Sequence, residues 1–236
     1  MNKILKHITR MSYDFIRLLY PKTCIACKKD LNHSESFLCL HCEYDLPKTN
    51  FHKEQDNIVE QTFWGRAQVE RAASYFYYRK GSKYQELIHE LKYKGKKHIG
   101  QYLGQKFARD LLDSDFRDVD IIVPVPLHPK KKRKRGYNQS EWIAHGIGDV
   151  LDKPVLTKNL YRKTNTSSQT KKSRFDRWEN VKHVFGTKSI KRFSNQHVLL
   201  VDDVITTGAT LEACINEILN CPNAKVSLIS LGYSSN

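Results

Sequence analysis

The sequence is sparing with the residues that define several protein classes. Of its 236 residues only 11 are glycine and 7 proline, which excludes collagen-like and mucin-like chains. Its apolar positions never run on for the roughly 18 residues that a membrane-spanning helix needs. The most apolar N-terminal stretch, residues 15–20, is short and interrupted by Arg17, so it makes neither a signal-peptide core nor an anchor. Acidic residues are also scarce, 25 against 40 Lys and Arg, leaving a formal net charge of +15. What is present suffices for a packed core, because 39% of residues are hydrophobic and 11% aromatic. The length suits one domain with a small module, or two modest domains. With no secretory segment, the six cysteines are expected to be reduced and the protein cytoplasmic.

The positive charge is uneven. Residues 121–183 hold 15 basic and 5 acidic side chains, whereas residues 184–236 hold 4 of each. A field of this sign concentrates phosphates, diphosphates or nucleic acid. The alternative is a solvated face that only keeps the protein soluble. The run at residues 130–135, Lys-Lys-Lys-Arg-Lys-Arg, has the composition of a nuclear-import patch as well.

Periodicity outlines the fold. Ile4, Ile8, Met11, Phe15 and Leu19 recur every three or four positions, predicting a basic amphipathic helix over residues 3–19 that ends at Pro21. It reads as a cap on a neighbouring module, with a membrane surface as the alternative. Residues 47–66 are polar and aperiodic and read as a linker. Strands are expected at 72–78, 121–125, 197–201 and 226–231. Helical spacing appears in Tyr84, Leu87, Ile88, Leu91, then in Ile99, Tyr102, Leu103, Phe107, Leu111, and over 140–150 and 211–219. Alternating strands and helices predict a doubly wound α/β domain with a mostly parallel sheet over residues 51–236, preceded by a small unit at 1–50.

That small unit contains Cys24, Cys27, Cys39 and Cys42, spaced C-x2-C-x11-C-x2-C. Two such pairs can meet around a tetrahedral ion, and four thiolates leave no open position, so a structural zinc is expected. An iron–sulfur centre and substitution of one cysteine by His41 are the alternatives. Cys214 and Cys221 show no pairing pattern and receive no role.

Residues 198–210 read Val-Leu-Leu-Val-Asp-Asp-Val-Ile-Thr-Thr-Gly-Ala-Thr. A buried strand runs into two acids, a hydroxyl-rich turn and a helix. The free N–H groups of a helix start attract anions, and the turn adds Thr206, Thr207 and Thr210 hydroxyls around Gly208. Asp202 and Asp203 repel phosphate but accept hydrogen bonds from a vicinal diol, or help to retain magnesium. A sugar with a diol at one end and a phosphate at the other fits both halves.

This stretch resembles the signature of type I phosphoribosyltransferases. The resemblance implies that Asp202 and Asp203 bind the ribose hydroxyls of phosphoribosyl pyrophosphate (PRPP), accompanied by magnesium. It implies that Thr206, Thr207, Gly208, Ala209 and Thr210 bind its 5′-phosphate. Residues 123–129, Val-Pro-Val-Pro-Leu-His-Pro, resemble the ComF family of competence-associated proteins. So do residues 135–140, Arg-Gly-Tyr-Asn-Gln-Ser, and the spacing of Thr166, Gln169, Arg177, Asn180, Val181 and Phe185. A four-cysteine finger ahead of a phosphoribosyltransferase-like domain completes the pattern. By that resemblance residues 124–135, with Lys131, Arg133 and Arg135, form a pyrophosphate loop. Residues 162–177, with Arg162, Lys171, Lys172, Arg174 and Arg177, form a lid.

Three functions fit this resemblance. One is a PRPP- or nucleotide-binding protein that handles DNA during natural transformation, holding single-stranded DNA on basic loops near Tyr137 and Trp142. The second is a magnesium-dependent phosphoribosyltransferase that passes ribose 5-phosphate to an acceptor and releases pyrophosphate. The third is a zinc-finger adaptor for other uptake proteins. Glutamine-dependent amide transfer is not expected, since the sequence starts Met1-Asn2-Lys3 without a leading cysteine nucleophile.

Overall fold

The computed structural model describes residues 21–163 and 184–234. The helix expected over residues 3–19 lies outside them, as do Lys171, Lys172, Arg174 and Arg177 of the expected lid. The four-cysteine module ends in α1 (Leu40–Tyr44), and α2 (Ile58–Gln61) follows. Next come β1 (Ala72–Tyr77), α3 (Gln85–Tyr93), α4 (His98–Leu111), β2 (Ile121–Pro124), α5 (Pro129–Arg135) and α6 (Gln139–Leu151). The chain continues through β3 (Leu160–Arg162), β4 (Phe185–Thr187), β5 (His197–Ile205), α7 (Ala209–Leu219) and β6 (Lys225–Tyr233). Among the described residues no helix is long and apolar enough to cross a membrane.

Four strands form the main sheet in the order β1-β6-β5-β2, and all three pairings are parallel. Leu200 of β5 lies opposite Leu228 of β6 and Val123 of β2. Val155 adds a parallel bridge to Ile122 on the outer edge of β2. Val198, Leu199, Leu200 and Val201 are completely buried in succession. That continuous apolar run belongs to a strand covered on both faces. β3 and β4 make a separate antiparallel pair.

The winding direction positions the site. From β1 the chain crosses to β2, and from β2 through α6 to the Val155 edge, moving one way across the sheet. From β5 through α7 it returns to β6, moving the other way. Right-handed crossovers then place α4 and α6 on one face and α7 on the opposite face. The direction therefore reverses between β2 and β5. In open α/β sheets the crevice for ligands forms there, at the carboxyl ends of the strands.

Residues 47–66 do not behave as a linker. Thr49 N–H donates to the Tyr75 carbonyl at 3.1 Å, and Tyr77 N–H to Pro47 at 2.9 Å, so this segment lines the free edge of β1. Phe51, Val59 and Phe63 are buried. Asn57 caps α2 by accepting from Val59 and Glu60 N–H, and its amide donates to the carbonyls of Phe51, Glu54 and Ala72. Arg71 then pairs with Glu60 at 2.9 Å. Three scattered apolar residues gave no period, yet they anchor the segment. β5 also runs longer than the expected 197–201. β6 keeps pairing with it, Asp202 opposite Ser230 and Ile205 opposite Tyr233, so both acids lie on the strand. The basic run, expected as loop, is the helix α5. His128 accepts from Lys130 N–H, Pro129 occupies the first turn and Gly136 ends the helix at φ 84°.

α4 and α6 pack face to face through glycines. A Cβ on Gly146 would strike the Gln101 carbonyl, and one on Gly104 the Ile143 carbonyl. Replacing Gly146 by valine is expected to lower stability by about 3 kcal/mol, the upper part of the range for overpacking. The check is a lower midpoint in urea with unchanged slope.

Candidate functional site

Two centres carry chemistry-bearing side chains. In the first, the thiol sulfurs of Cys24, Cys27, Cys39 and Cys42 all lie within 4.8 Å of one another. Cys27 and Cys39 sulfurs are 3.7 Å apart. Tetrahedral zinc with Zn–S bonds of about 2.3 Å requires sulfur separations of about 3.8 Å. The donor set and the spacing therefore fit a four-thiolate metal ion. His41 is exposed on α1 and is not in the cluster. Burial pushes the Cys24 thiol up, but the backbone N–H groups of Cys27, Cys39 and Ala26 outweigh it and bring it down to about 7. Burial and the neighbouring sulfurs push Cys42 up. A dense group of thiols resists ionising together until a cation compensates.

The second centre lies at the carboxyl end of β5, where the winding reverses. A cavity of about 210 Å³ is walled by the β2–α5 connection, α6 and the end of β5. Asp202, Asp203, Thr210, Lys131, Arg135 and Arg162 face it together. Asp203 is buried, and Lys92 from α3 approaches its Oδ1 at 3.1 Å. Its Oδ2 is buried and unpartnered among the described residues. Ser140 donates to Asp202 Oδ1 at 3.0 Å, and the Asp203 N–H donates to the same oxygen at 2.9 Å. Burial and the adjacent Asp203 charge push the Asp202 carboxyl up to about 7. The two hydrogen bonds and Lys92 offset only part of this.

Beyond the carboxylates the chain turns sharply. Gly208 adopts φ 72° as the residue before α7, and a Cβ there would press on the Phe63 ring and Thr62. Arg66 braces the turn by donating to the Thr207 carbonyl at 2.9 Å while it pairs with Glu212 on α7. Thr206, Thr207 and Ala209 are exposed and Gly208 is buried. Of the phosphate-corner residues, Thr210 alone lines the cavity with the acids. Arg133 is exposed on α5 outside the cavity lining, and Arg177 lies outside the described residues. Lys92, Ser140, Phe63 and Arg66 received no role from the sequence. Ser140 stands in the Arg-Gly-Tyr-Asn-Gln-Ser motif, which marked it without saying what it touches. Nothing in the sequence pairs the other three with the corner.

Residues 133–232 match the family of the phosphoribosyl transferase domain. The reversing parallel sheet with its strand–acid–threonine corner is a type I phosphoribosyltransferase-like fold. The chain is also similar to several curated proteins. It is 40% identical to Competence protein F of Haemophilus influenzae over 93 residues, 39% of this chain and 41% of that protein. It is 33% identical to Competence protein ComFC of Bacillus subtilis over 91 residues, 39% of this chain and 35% of that one. It is 30% identical to the DNA utilization protein YhgH of Salmonella typhimurium over 133 residues, 53% of this chain and 56% of that one. The matches thus span roughly half or less of each relative. The expected resemblance to ComF competence proteins is borne out over these stretches.

The raised Asp202 carboxyl has a consequence for stability. Between its ordinary value of 3.8 and about 7 the native protein holds a proton that the unfolded chain has lost. Stability therefore falls as pH climbs through that window. Asp202→Asn is expected to melt a few degrees above the wild type at pH 8, with the gap closing towards pH 4. Parallel melting curves across that range, read by circular dichroism, check the sign.

Proposed function

We propose that the protein binds a phosphorylated pentose of the PRPP type at the end of β5 and acts in handling single-stranded DNA during uptake. The observation that carries the first part is the buried Asp203 carboxylate, its Oδ2 unpartnered among the described residues, in a cavity that also brings Lys92, Lys131, Arg135 and Arg162 together with Ser140 and Thr210. A sugar diol donates to such oxygens, and its hydrogen bonds favour the ionised pair that burial disfavours. Magnesium arriving with a diphosphate takes hard oxygen ligands, and Asp203 offers one. Lys131, Arg135 and Arg162 suit the diphosphate, and the α7 start with Thr210 suits the 5′-phosphate. The second part is supported by what the similar proteins are called, competence proteins and a DNA utilization protein. The basic excess of the segment that includes α5 agrees with it.

The same cavity supports a second reading, transfer of ribose 5-phosphate from PRPP to an acceptor. Three cations beside the acid pair would stabilise the charge that gathers on departing pyrophosphate. The four-thiolate module carries a structural zinc in either case. Its folding depends on the ion, because a segment this short has little apolar area of its own.

Magnesium-PRPP at a hundred times its dissociation constant would stabilise the protein by about 2.7 kcal/mol. The expected outcome is a melting temperature raised by several degrees in the wild type and unmoved in Asp203→Asn. A wild type that melts at the same temperature with and without magnesium-PRPP contradicts the reading. Elemental analysis is expected to find one zinc per chain, and folded protein free of metal would refute the zinc assignment.

A further inference from the structure

The two aromatic residues beside the basic run that the sequence offers for base stacking are already engaged. Tyr137 donates its hydroxyl to the Leu91 carbonyl and is half-buried. Trp142 is half-buried, with Lys97 Nζ 4.5 Å from its ring centre and His98 edge-on at 4.9 Å. A different ring is far more exposed. Tyr93, the last residue of α3, is 67% exposed. The neighbouring Lys92 reaches into the sugar-phosphate cavity to Asp203, and Gly95 at φ 71° turns the chain away just beyond. Tyr93 is therefore held at the rim of that cavity. The Arg135 guanidinium carbon lies 5.6 Å from its ring centre, and His89 props it from within α3 at 5.2 Å.

Tyr93 also lines a second cavity, about 300 Å³, which shares Lys92, Lys131 and Arg135 with the first and adds Gly95 and Lys134. Its charged lining is wholly cationic. An aromatic ring beside a guanidinium, set among lysines, is the pairing that binds a nucleobase and its flanking phosphates together. The base stacks on the ring and the cation, and the phosphates take the lysines.

We propose that this Tyr93–Arg135 platform is where single-stranded nucleic acid docks, one base stacking on Tyr93 and its phosphates held by Lys131 and Lys134. The platform rests on the reading of the protein as a single-strand binder, and it fixes the strand at the lip of the sugar-phosphate cleft. Stacking tolerates any base, so the contact is independent of sequence.

The test is fluorescence anisotropy with a labelled oligothymidylate and with an abasic oligonucleotide of equal length and charge. The wild type is expected to favour the base-bearing strand. Tyr93→Ala is expected to lose about tenfold for that strand and little for the abasic one, which removes the preference. Tyr93→Phe retains it, because the π face remains. Lys134→Gln weakens both strands alike and lowers the salt slope, which Tyr93→Ala leaves unchanged. Equal wild-type affinity for the two strands, or a Tyr93→Ala variant that still distinguishes them, overturns the platform while leaving single-strand binding intact. A wild type that binds neither strand overturns both. The exposure of Tyr93 makes the alanine variant mild for folding, and a wild-type melting curve confirms it.

Discussion

Two carboxylates side by side at the end of a buried strand repel each other, and much of the surrounding structure answers that repulsion. Lys92 comes from α3 to neutralise Asp203, and Ser140 comes from α6 to hold Asp202. The compensation is incomplete. Asp202 stays pushed up to about 7, and Asp203 keeps an oxygen without a partner among the described residues. A fold selected for stability alone would place apolar residues here, since a buried carboxylate that is only partly compensated destabilises. A diol or a cation arriving there would relieve that residual tension, so on the proposed reading the strain and the binding are one feature.

The winding of the sheet explains why this tension can be met. Crossovers that leave β2 in one direction and β5 in the other open a crevice at their ends. α4 and α6 pack tightly on one face because Gly104 and Gly146 let their backbones touch. That packing fixes α6, hence Ser140 at its start. The segment before β1 backs the turn that follows β5, with Phe63 behind Gly208 and Arg66 on the Thr207 carbonyl. The cations of α5 and Tyr93 of α3 then stand at the rim, where a strand of nucleic acid and a sugar phosphate would share one wall.

Much of this was legible in local sequence. Buried strands announced themselves as apolar runs, and the acid pair, glycine and threonines of the corner are contiguous. The cysteine spacing foretold that four sulfurs could meet. The rest failed for identifiable reasons. Residues 47–66 lack periodicity because only Phe51, Val59 and Phe63 face inward, so their edge position along β1 left no pattern. The basic run concealed a helix because like charges obscure the signals of Pro129 and Gly136 at its ends. Trp142 and Tyr137 looked available for stacking because sequence reports a ring's presence and not its neighbours.

By itself the sequence determined the four strands of the main sheet, the principal helices, the thiolate spacing and the strand–acid–threonine corner, since each depends on residues adjacent along the chain, whereas the β3–β4 pair left no such mark. Only the tertiary structure decided what surrounds the corner. Ser140 lies 62 residues from Asp202, and Arg66 lies 141 residues from Thr207. Contacts at such separations follow from the order and direction in which strands assemble. Whether a lysine faces a carboxylate, or a tyrosine faces water, is settled by that assembly and not by its neighbours in the chain.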